Sequence, residues 1–146
     1  MNQYLDDGID ELKRVDHLVF VSLKYTRTVD VIKSVVERLV SSYDFLIMGF
    51  LTQIKEKQKI DIPNNPVMKC ELLKKKYKGD KDIIGDIDKY LLFRKILRSN
   101  YKREQEYRRH VTMISNVEGK EIRTNIDTLT EDFVKIKEFV KIIQEA

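Results

Sequence analysis

The chain has 146 residues, of which 36% are charged and 42% hydrophobic, with a formal net charge of +4, two prolines, five glycines and one cysteine. That length suits a single domain, residues 1–146, with a real core, and the scarcity of Pro and Gly beside abundant Leu, Ile, Lys and Glu favours long helices. The lone Cys70 excludes an internal disulfide, and with no metal-ligand spacing around it a reducing interior is expected rather than secretion.

The N-terminal "MNQYLDDGIDEL" carries Asp6, Asp7, Asp10 and Glu11 where an export signal needs positive charge followed by an apolar run, so export is excluded and a cytoplasmic location expected. A first helix is predicted from about Tyr4 to Lys24, with Leu5, Ile9, Leu12, Val15 and Val19 on its apolar face and Gly8 weakening its first turns. A second helix is predicted from about Thr28, capped by Thr28 or Thr26, with Val31, Val35, Leu39, Phe45, Met48 and Leu51 facing inward. Its most apolar run, residues 35–51, contains Glu37, Arg38 and Asp44, which are costly in hydrocarbon; it reads as a buried helix and not a membrane span.

"IDIPNNP", residues 60–66, is a loop, because its prolines lack amide donors and restrict the residues before them. A short helix from Val67 to Tyr77 is predicted to stop at Gly79, and Asp80 or Asp82 to cap the next. That next helix is predicted to be long, from about Ile83 through the arginine-rich stretch to His110. Past it, β-branched residues around "VEGK" suggest a small hairpin. A final helix follows, with Thr128 and Glu131 spaced as a capping box and Leu129, Phe133, Ile136, Phe139, Val140 and Ile143 as its apolar face. The expected fold is all-α: an antiparallel bundle of four to five helices, with a hairpin before the last.

Positive charge is regional. From Lys74 to His110 there are thirteen Lys or Arg against six Asp or Glu, a local balance of +7, so the remainder sums to −3. A regional patch suits a polyanion. Its candidate nucleic-acid contacts are Lys74, Lys75 and Lys76 in one run and Arg98 and Lys102 in the other. Arg108 and Arg109 read as solvated or as complements to a helix dipole, and His17 as a half-buried helix residue.

If the long helix stays regular, Phe93, Ile96, Asn100, Arg103, Tyr107 and His110 share one stripe, and the apolar face turns polar without rotating away. Arg103 and His110 then lie two turns apart and point the same way, and Glu106, four residues before His110, is placed to hold its imidazole.

"REQEYRRH", an Arg, six residues and a His on the penultimate long helix of a bundle, resembles the motif of the HEPN superfamily. The resemblance implies a metal-independent endoribonuclease, of the toxin or RNA-processing kind, with its site shared by a homodimer. Arg103 would grip the scissile phosphate and His110 would move protons after attack by the 2′-hydroxyl, with Asn100 and Tyr107 in support. No cofactor and no metal ligand is expected. The implied partners are a second copy, RNA, and a protein such as an antitoxin. The alternative is a non-catalytic helical module that dimerises or binds nucleic acid or protein through the same face.

Overall fold

The computed structural model describes residues 2–146. Helix α1 (Gln3–His17) starts at Asn2, whose side chain accepts from the Leu5 amide at 2.8 Å. Leu5, Leu12 and Val15 are buried on its inner face and Ile9 is half-buried. The helix runs into a π-helical stretch, Leu18–Ser22, where the Leu23 amide reaches back five residues to the Leu18 carbonyl, and ends in the single turn α2 (Leu23–Tyr25). Of the two threonines considered as caps, Thr28 does the capping: its hydroxyl accepts from the Val31 amide at the start of α3 (Val29–Lys57).

Helix α3 touches α1, α4, α5 and α6 and is therefore buried on most of its circumference. Val35, Leu39 and Leu51 are buried as expected, but Val31, Phe45 and Met48 are only half-buried, and the centre of its face is Ile32, Val36, Tyr43, Leu46 and Phe50. Two glycines bring α1 and α3 together. A Cβ on Gly8 would lie 2.7 Å from Leu46 Cδ2, and one on Gly49 3.1 Å from the Leu5 nitrogen. The Ser42 hydroxyl donates to the Gly8 carbonyl at 2.9 Å across the same contact.

Asn65 caps α4 (Pro66–Lys76), with Pro66 at the first helical position where its missing amide costs nothing. The chain turns at Gly79, with φ of +93°, and Asp80 caps α5 (Lys81–Arg98). Tyr43, Tyr90, Phe93, Phe50 and Phe139 form the aromatic centre of one continuous core.

Helix α5 stops at Arg98 and does not continue to His110. The chain instead forms a three-stranded antiparallel sheet of β1 (Tyr101–Glu104), β2 (Thr112–Val117) and β3 (Lys120–Thr124), in that order. A helix over residues 101–110 would have little to bury, since the stretch has no aliphatic residue and Tyr107 is exposed; helices are held mainly by the face they pack. As a strand, Tyr101–Glu104 pair with β2, whose Met113, Ser115 and Val117 are buried against α3 and α5. The expected hairpin is β2–β3, and its Glu118–Gly119 turn has positive φ at both positions, the two-residue form that matches strand twist. The fold is thus mostly helical, with a small sheet in place of a strictly all-α bundle.

Helix α6 (Ile126–Glu145) closes the chain, and all six residues of its predicted apolar face are buried. Its capping box begins at Asn125, not at Thr128: the Asn125 side chain accepts from the Thr128 amide, and the Thr128 hydroxyl accepts from the Asn125 amide. No helix of the described residues is long and apolar enough to cross a membrane.

Candidate functional site

The stretch "YKREQEYRRH" is a strand followed by a loop, so the stripe joining Arg103 to His110 does not form. The loop is clamped onto the start of α3. Glu106 Oε2 accepts from the Val29 amide at 3.0 Å, a carboxylate at the positive end of a helix, and the Tyr107 amide donates to the Arg27 carbonyl at 2.6 Å. Arg103 donates through Nη2 to Asp30 at 2.9 Å and through Nη1 to Glu106 at 3.1 Å, and its guanidinium lies 5.6 Å from the centre of the Tyr101 ring. Hydrogen bonds to Asp30 and then Glu106 push its pKa still higher. These contacts hold Gln105 and Tyr107 at φ of 54° and 67°, a left-handed conformation that non-glycine residues rarely adopt.

Glu106 therefore serves Val29 and Arg103, not the His110 imidazole. The Tyr107 side chain is 79% exposed, and Asn100, also exposed, uses its carbonyl to accept from the Asn116 amide at the sheet edge. His17, expected to be half-buried, is exposed.

His110 lies elsewhere, in a cleft of about 240 Å³ built from four separate parts of the chain. The π-helical stretch supplies Val19 and Phe20, α2 and the turn after it supply Lys24 and Arg27, and the β1–β2 loop supplies Arg109 and His110. The fourth wall is the N-terminus of α6, at Asn125, Ile126 and Asp127. By helical geometry the amides of Ile126 and Asp127 have no partner within α6, and the helix dipole adds positive potential there. Among the described residues, Lys24, Arg27 and Arg109 form no ion pair, although Asp127 lines the same cleft. The Arg27 Nε is buried without a hydrogen-bond partner. Three free cations, an imidazole and a helix N-terminus can hold an anion such as phosphate.

The other predicted contacts do not assemble into one patch. Lys74 donates to Asp88 and Lys76 donates to Gln58 at 2.6 Å, leaving Lys75 exposed at the end of α4. Arg98 is at the far end of α5, which at about 1.5 Å per residue puts it roughly 25 Å from Lys81. Lys102 shares a cross-strand row with Ile114 and Arg123 on the open face of the sheet. Sequence reasoning missed Lys24, Arg27 and the α6 N-terminus; Arg109, read as solvated, is exposed and also lines the cleft. The available signals were the break at "KYTRT" and the cap at "TNID", both rich in polar residues at helix ends.

Among the titratable groups away from the cleft are the half-buried Asp86 and the buried Cys70. Burial lifts the Asp86 carboxyl to about 7, against the Tyr43 hydroxyl that donates to it at 3.0 Å. Burial likewise raises the Cys70 thiol to about 11, so it is a protonated core residue.

Comparison of the chain with protein-family models, with curated proteins and with solved structures finds no match in any of the three. None of them bears on the HEPN resemblance.

Proposed function

We propose that the chain is a nucleic-acid-binding domain that grips backbone phosphate in the cleft between the π-helical stretch, the β1–β2 loop and the start of α6. The observation that carries this reading is the set of unpaired cations: Lys24, Arg27 and Arg109 have no carboxylate partner and face the free amides of a helix. Among the described residues, eight of the 28 basic side chains form ion pairs, Arg38, Lys74, Lys89, Arg103 and Arg123 among them, and what sets Lys24, Arg27 and Arg109 apart is that they converge unpaired on one cleft. Cations left unpaired in one concave place favour an anionic ligand, and the overall balance of +4 suits a polyanion.

A binding role is favoured over an endoribonuclease because Arg103, which the HEPN resemblance puts on the scissile phosphate, is held by Asp30 and Glu106. To act on phosphate it would have to leave two carboxylates.

Fluorescence anisotropy with a labelled RNA oligonucleotide tests the reading. Three cations on phosphate predict an affinity falling roughly 20- to 40-fold between about 50 and 200 mM salt, and Arg27→Ala with Arg109→Ala should abolish most of it. Absence of binding at low salt would end the proposal. RNA recovered from the same samples should be intact. Fragments ending in 2′,3′-cyclic phosphate, lost in folded Arg103→Ala and His110→Ala proteins alike, would instead establish the endoribonuclease and its Arg–His pair.

A further inference from the structure

On the side of α6 away from Asp86, α1 and α6 leave an open groove of about 420 Å³. Its floor is apolar: Ile9 and Leu12 from α1, Phe133 and Val140 from α6. At one end Phe20 packs edge-on against Phe133, ring centres 5.7 Å apart, and remains 47% exposed. Val134, 51% exposed, extends the apolar surface along α6. The rim is basic, with Lys13, Lys137 and Lys141 against a single acid, Asp16. Lys13 has a solvent-exposed pairing with Asp10, whereas Lys137 and Lys141 form no ion pair among the described residues. Lys137 spans the Phe133 ring, its ammonium 5.3 Å from the ring centre.

Helix α6 segregates its charges. Lys135 and Glu138 face the opposite groove, beside Asp86, while the side turned to α1 carries lysine alone. From Phe133 to Gln144 the groove follows eleven steps of helix, roughly 16 Å, or about three turns.

From this we infer that the α1–α6 groove receives an acidic amphipathic helix of a protein partner. Apolar side chains at i, i+3 or i+4, and i+7 of that helix would seat on Leu12, Phe133 and Val140, as in other helix-in-groove contacts, and its flanking Glu or Asp would meet Lys13, Lys137 and Lys141. Charge selects the occupant: a basic helix with the same apolar stripe would set like charges against both lysines of α6. This surface is separate from the phosphate cleft, which it meets only at the Phe20–Phe133 contact.

The test uses the full chain and two synthetic helical peptides with the same leucine spacing, one flanked by glutamate and the other by lysine. Amide chemical shifts should move on titration of the glutamate peptide, centred on Ile9, Leu12, Phe133 and Val140, and the lysine peptide should bind at least about tenfold more weakly. Lys137→Glu with Lys141→Glu, both at exposed positions, should reverse that preference while leaving RNA affinity unchanged. Equal binding of both peptides, no binding of either, or shifts confined to the Arg27–Arg109 cleft would overturn the inference. So would a concentration-dependent dimer in sedimentation that masks the groove, because the occupant would then be a second copy.

Discussion

Glu106 and Val29, seventy-seven residues apart in sequence, are joined by a 3.0 Å hydrogen bond from the Val29 amide to the Glu106 carboxylate. Through it the β1–β2 loop becomes a second cap on α3, beside Thr28. Glu106→Ala should lower stability by about 1 kcal/mol, the usual loss for a helix cap, and expose the Tyr107 amide to hydrogen exchange. Glu106→Gln keeps an acceptor for Val29 but turns an amide donor towards Arg103, so it should cost less than Glu106→Ala without being neutral. Thermal unfolding and exchange rates of both variants check this; identical behaviour would mean that the loop is held by other contacts.

The close approach of α1 and α3 gives the second prediction. At Gly8 a methyl group would meet Leu46 and the Ser42 carbonyl, so Gly8→Ala should destabilise by about 1–3 kcal/mol even after the helix-propensity gain of alanine. Gly85 is also helical but exposed, with nothing within 4 Å of an added Cβ. Gly85→Ala should therefore stabilise by up to about 1 kcal/mol. Opposite shifts in denaturation midpoint are the expected result.

Asp86 sets a pH dependence. Its folded pKa of about 7 is above the ordinary carboxylate value of 3.8, so the folded state holds the proton more tightly than the unfolded chain. Its contribution is fully present below about pH 4, is lost as pH rises towards 7, and is flat above that. Asp132, raised by burial against the pull of Lys89, slopes the same way. Asp86→Asn should flatten the profile between pH 4 and 7 and stabilise at pH 8 by on the order of 1 kcal/mol, roughly 3 °C in Tm.

The phosphate cleft predicts a contrast between two sets of basic residues. Arg27→Ala and Arg109→Ala should each reduce the slope of log affinity against log salt by about 0.7–0.9, one phosphate contact apiece. Reversing the charges of Lys74, Lys75 and Lys76 should change the slope much less, because Lys74 and Lys76 are already engaged with Asp88 and Gln58. Salt titrations of RNA binding separate the two sets directly.

What the sequence determined by itself was local. Helix α6 was readable because six apolar residues recur at helical spacing, the Gly79 stop and an aspartate cap at Asp80 or Asp82 because their backbone preferences act within a turn, and the β2–β3 hairpin because Glu118–Gly119 suits a two-residue turn. Residues 101–110 carry no such signal in either direction: their apolar content is too low to hold a helix, and Tyr101–Glu104 became a strand because β2 offered an edge to pair with. Tertiary structure alone decided that Arg103 would be bound by Asp30, seventy-three residues away, and that Lys24, Arg27, Arg109 and the start of α6 would meet in one cleft. No periodicity records such meetings, because they depend on where helix packing carries segments that are distant in the chain.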